Sequence, residues 1–89
     1  MEKMKPTRIA YDDFADVLYI TFGKAKSSIV DPITDSDLIR VNTTTHEVVG
    51  ITLIAYKRRY KSDPPKSYTS DIRQIVDNLL AEHRVLFAN

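Results

Sequence analysis

The sequence predicts an α+β fold: an antiparallel, meander-like sheet of four or five strands with one amphipathic C-terminal helix packed on one face. Three observations carry that expectation. Short β-branched and aromatic runs, separated by turn residues, fill residues 7–56. The connections between them are too short for parallel crossovers, so the strands pair antiparallel. Beyond residue 69 the apolar period lengthens from that of a strand to that of a helix.

With 89 residues there is room for a single core, and a domain of this size is thinly stabilised. The expected organisation is one domain, with the sheet over 7–56, a basic connector over 57–69 and the helix over 70–88. Small domains make up thin stability with disulfides, a metal or a second subunit. The chain has no cysteine, and its only imidazoles are His46 and His83, so neither a disulfide nor a structural zinc site is expected. Oligomerisation is the remaining supplement, with a homodimer favoured. A cysteine-free chain fits the reducing cytoplasm. The charged start Met1–Pro6 carries no signal-like apolar run, and no stretch approaches the ~18 apolar residues of a membrane span.

Along the chain, Thr7–Tyr11 reads as a short strand and Asp12-Asp13 as turn chemistry. Val17–Phe22, wholly β-branched, aromatic or Leu, is the clearest strand, and Gly23-Lys24 ends it. Ser28–Val30 is a brief strand before the Asp31-Pro32 turn. Leu38–Asn42 and Val48–Tyr56 pair as a hairpin whose tip is Thr43–Glu47. Side chains alternate across a strand. Val49, Ile51, Leu53 and Ala55 therefore share a core face with Leu18, Ile20 and Phe22. Val48, Gly50, Thr52, Ile54 and Tyr56 lie on the other face with Val17, Tyr19 and Thr21.

Pro64-Pro65 stiffens the connector. Ser70 is the expected N-cap of the helix, with Asp71 at its positive end. Ile72, Ile75, Val76, Leu79, Leu80, His83, Leu86 and Phe87 recur at helical spacing and form the face that docks on the sheet.

The run Tyr11-Asp12-Asp13-Phe14-Ala15-Asp16-Val17-Leu18-Tyr19-Ile20 resembles the opening signature of an uncharacterised bacterial family, the domain of unknown function numbered 2283. Glu47-Val48-Val49-Gly50-Ile51 resembles its second signature, in which an apolar pair and Gly precede the final strand. The resemblance spans about Arg8 to Ala55. Two departures accompany it: the hairpin tip is Asn42-Thr43-Thr44-Thr45-His46 in place of an Asp/Gly turn, and Thr52 stands where an acid is common. The family brings no established activity. Some members sit beside small toxin-like proteins, so what the resemblance implies is an antitoxin-like partner role.

No catalytic, metal or cofactor site is read from the chain. Asp12, Asp13 and Asp16 cluster, but no Gly or distal Glu completes a calcium loop, and capping of turn amides explains Asp12 and Asp16 better. His46 falls in a hairpin tip and His83 on the helix face, without the oriented partners of a catalytic triad. An enzyme is the least favoured class. Formal charge is +1, but residues 57–66 hold five cations against one acid, whereas the first fifty hold eight acids and six bases. Lys57, Arg58, Arg59, Tyr60 and Lys61 mix cations with an aromatic as single-strand nucleic-acid sites do. A nucleic-acid-binding regulator using 57–66 is thus the alternative function. The favoured one is a small cytoplasmic protein-interaction module. Its candidate surface is Tyr19, Thr21, Thr52, Ile54 and Tyr56, because one helix covers only one sheet face and Tyr suits interfaces.

Overall fold

Val17–Phe22, the clearest strand of the sequence, lies inside the sheet, where strands on both edges pair its backbone groups. The computed structural model describes residues 6–23 and 27–87, with the side chains of 6 and 7 excepted. Lys24 and residue 88, expected to end a strand and the helix, lie outside the described residues, as does Met1–Lys5.

The strands are β1 (Pro6–Asp12), β2 (Val17–Phe22), β3 (Ser28–Pro32), β4 (Asp37–Asn42) and β5 (Val48–Ile54). They form one sheet in the order β1-β2-β5-β4-β3, every pairing antiparallel. The near-meander is two consecutive runs, the β1-β2 hairpin and the β3-β4-β5 meander, joined where β5 lies beside β2. The β4–β5 turn is fixed by Asn42, whose Oδ1 accepts from the amides of Thr44 and Thr45 (2.8 and 2.9 Å).

The core lies between one sheet face and the long helix α2 (Ser70–Phe87). Leu18, Ile20 and Phe22, Ile39 and Val41, Ile51 and Leu53 face Ile72, Val76 and Leu79. A bulge alters the expected alternation in β5. Arg40 stands opposite Gly50 and Val41 opposite Val48, so Val49 is the extra residue. In consequence Val48, not Val49, packs against the core.

Three further expectations are corrected. β5 stops at Ile54, because Ala55 adopts left-handed φ 58°, ψ 45° and turns the chain into a short helix, α1 (Tyr56–Tyr60). Tyr56 is thereby carried off the second sheet face into the core, 5% exposed, with its ring centroid 4.9 Å from that of Tyr60. At the start of α2 the cap is Thr69 in place of Ser70: its carbonyl accepts from Arg73 (2.9 Å) and its Oγ1 from the amide of Ile72 (3.4 Å). At the far end Leu86 and Phe87 are exposed, since α2 extends past the surface that buries Val76 and Leu79. His83 marks the last anchor, its Nε2 lying 2.8 Å from Asp31 Oδ2 on β3.

Two stability measurements follow. Ile72→Ala should cost about 2–5 kcal/mol in urea denaturation, and Leu86→Ala no more than about 0.5 kcal/mol. Equal losses would mean that α2 is docked along its whole length. Ala55→Gly should raise stability by up to about 1 kcal/mol, because glycine relieves the left-handed strain but adds unfolded-state entropy. A loss there would show that the Ala55 methyl group contributes packing that outweighs its strain.

Candidate interaction surface

The sheet face turned away from α2 is built by strict alternation. Strand pairing places Ala10, Tyr19, Thr52, Leu38 and Pro32 in one row across the five strands. The next row holds Arg8, Thr21, Gly50, Arg40 and Val30, and a shorter one Asp12, Val17 and Ile54. Among the described residues no helix packs on this face. Its side chains cover one another instead: Val17 and Thr52 are each 9% exposed, while Tyr19 and Val30 stand out at 39% and 51%.

Four of the five residues expected at an interface, Tyr19, Thr21, Thr52 and Ile54, are therefore brought together. Tyr19 is directly opposite Thr52, and Val17 opposite Ile54. Tyr56 is not with them. The reading of the sequence missed Leu38 and Arg40 of β4, although their alternation with Asp37, Ile39 and Val41 assigns them to this face. Arg40 is the distinctive addition. It lies over Gly50, where a β-carbon would fall only 2.6 Å from its Cζ. Its Nη2 donates to Thr21 Oγ1 at 3.3 Å, and its buried Nε has no partner among the described residues.

The basic segment is organised by two aspartates. Asp16 sits at φ 58° in the β1–β2 turn. Its Oδ1 accepts from the amide of Lys57 (2.8 Å), and its Oδ2 from the amide (3.3 Å) and Nε (3.4 Å) of Arg58. Its backbone carbonyl accepts from the amide of Tyr56 (3.1 Å). The free amides that open α1, which has no capping side chain of its own, are thus capped by a carboxylate 41 residues away in sequence. On the other side Arg59 grips Asp37 through Nη2–Oδ1 (2.9 Å) and Nη1–Oδ2 (3.3 Å). The same guanidinium donates to the carbonyls of Ser36 (3.1 Å) and Ile54 (2.8 Å). Of the cations at 57–61, Arg58 and Arg59 are therefore engaged with carboxylates, while Lys57 and Lys61 project into solvent.

The acidic cluster divides by task. Asp12 caps its own turn, accepting from the amide of Ala15 (3.0 Å), whereas Asp16 caps α1. No group of three or more metal-ligating side chains converges among the described residues. His46 is exposed at the hairpin tip with φ 65°. Tyr11 donates its hydroxyl to Asp16 Oδ1 at 2.6 Å. That bond, helped by the amides of Lys57 and Arg58 and opposed by partial desolvation, lowers the Asp16 pKa to about 2. The same bond pushes the Tyr11 hydroxyl up to about 12, with desolvation and the neighbouring acids adding to it.

No family model matches the chain, and no curated protein or solved structure is significantly similar to it.

Because Asp16 ionises more readily in the folded chain, the unfolded chain takes up the proton first as pH falls. The stability that Asp16 contributes is complete above about pH 4 and disappears towards pH 2. Asp16→Asn should accordingly have a lower urea midpoint than wild type at neutral pH, the two curves converging as pH drops through that window. Parallel curves across it would show that the charge of Asp16 is not what holds α1.

Proposed function

We propose that this chain is a protein-interaction module whose working surface is the sheet face opposite α2. One observation carries the reading: the long helix covers one side of a sheet that presents Tyr19, Leu38 and Ile54 on the other. Antiparallel sheets tolerate one wet face, but the wet face is then ordinarily polar. Here the central row is Ala, Tyr, Thr, Leu and Pro, and a small domain gains stability by covering such a face. The occupant is a second copy or another small protein. The resemblance to the uncharacterised bacterial family supports an antitoxin-like, cytoplasmic role of the second kind. The basic stretch supports nucleic-acid binding less well, because Arg59 is held by Asp37 and only Lys57, Arg58 and Lys61 of the run stay open to solvent.

Sedimentation velocity across a micromolar series, with affinity capture of partner proteins in parallel, tests the reading. Wild type should self-associate or retain a defined small protein. Tyr19→Glu, substituted at a partly exposed site that leaves the core intact, should weaken that association by about tenfold or more while keeping its circular dichroism. A wild-type chain that stays monomeric at high micromolar concentration and retains no partner defeats the proposal. So does association indifferent to Tyr19→Glu.

A further inference from the structure

Arg40 is the residue on the uncovered face whose surroundings do not account for it. Buried polar groups nearly always find a hydrogen-bond partner, and the exceptions call for an explanation. Its Nε is buried and unpartnered, its Nη2 has only Thr21 Oγ1 at 3.3 Å, and it forms no ion pair among the described residues. The other two described arginines that bear on the fold, Arg58 and Arg59, both meet aspartates. Gly50 adds a second observation. A β-carbon there would stand 2.6 Å from Cζ and 2.8 Å from Nε of Arg40, so the guanidinium packs directly against the bare backbone of β5. The chain thus has a hydrogen in place of a side chain where a side chain would displace the Arg40 guanidinium.

We propose that Arg40 receives a carboxylate side chain of a partner protein, docked on the apolar surface around it. The inference rests on the reading of this face as an interaction surface and names the chemistry of its occupant. The Nε is closed off against β5, so the edge left to a partner is Nη1 with Nη2, and that edge matches a carboxylate with two parallel hydrogen bonds. Apolar groups flank it: Val30 is its neighbour on β3, and Leu38 stands two residues before it on β4. That surround suits a protein segment carrying one acid among apolar residues, whose docking would displace water from it.

Charge complementarity decides against a second copy as the occupant. By register the face carries two cations, Arg8 and Arg40, against one acid, Asp12, which lies two rows away. Asp12 Oδ1 is already engaged with the amide of Ala15. Two such faces laid together would bury Arg40 without a carboxylate to meet it.

The test is an amide-resolved NMR titration of the full chain with 4-phenylbutyrate and, separately, with its neutral amide. The acid should shift the resonances of Thr21, Arg40 and Gly50 at concentrations roughly tenfold or more below those the amide requires. That preference should vanish in Arg40→Gln and be reduced in Arg40→Lys, which keeps the charge but not the fork. Thermal melts confirm that both variants fold; should Arg40→Gln not fold, Arg40→Lys carries the comparison. Equal response to acid and amide overturns the assignment, as does a preference that survives Arg40→Gln. A short oligothymidylate that shifts the same resonances more strongly than the acid would make the occupant a nucleic acid and overturn it too. Self-association abolished by Tyr19→Glu would make the occupant a second copy, overturning the role of Arg40 while the interaction surface stands. Monomeric protein that retains no partner protein and whose face responds to neither small probe defeats both readings together.

Discussion

The structure depends on how α1 is held. Five residues cannot sustain a helix in water, since nucleation costs more than so few hydrogen bonds return. α1 exists because each half of the sheet lends it an aspartate. Asp16, from the β1–β2 turn, closes the free amides at its start. Asp37, from the first residue of β4, takes the fork of Arg59 within its turn. A stretch that composition presents as a string of cations is therefore a clasp across the open end of the sheet, tying hairpin to meander where β5 leaves between them. The left-handed conformations of Asp16 and Ala55 are part of it, because they aim the turn and the strand exit at one another.

That clasp also determines what is left free. By curling back over the core side it carries Tyr56 and Tyr60 onto the apolar cluster, where α2 already lies. All the helical cover is thus spent on one face, and the other is left to its own side chains. The asymmetry is a product of connectivity as much as of composition: a continuation of β5 past Ile54 would have put Tyr56 on the open side.

Periodicity made the larger elements legible. Val17–Phe22 and the strip from Ile72 to Leu80 could each be only one thing, and they form as read. Where the outcome turned on distant partners, the sequence was mute. Tyr56–Tyr60 has no apolar period, and its cap comes from a residue in another hairpin. The bulge at Val49 looks locally like any other β-branched position, yet it reverses the facing of Val48. For the open surface, β2 and β5 gave up Tyr19, Thr21, Thr52 and Ile54, because both strands were read for both faces. The role of Arg40 carries no such signal in the sequence, because it depends on Gly50, ten residues on, lying beneath it.

The position of β5 has a consequence for how the chain is made. The last strand to be synthesised is the central one, flanked by β2 and β4. Until residue 54 is available, β1-β2 and β3-β4 are two separate hairpins, and isolated two-stranded hairpins are marginal at best in water. Each would expose the unpaired backbone edge that β5 later occupies. Folding therefore waits on the non-local pairing of β5 with β2, a slow class of event, and the nascent chain carries unpaired strand edges until it happens. Any truncation before β5 removes the middle of the sheet rather than its margin, so the fragment has no smaller version of this fold to adopt.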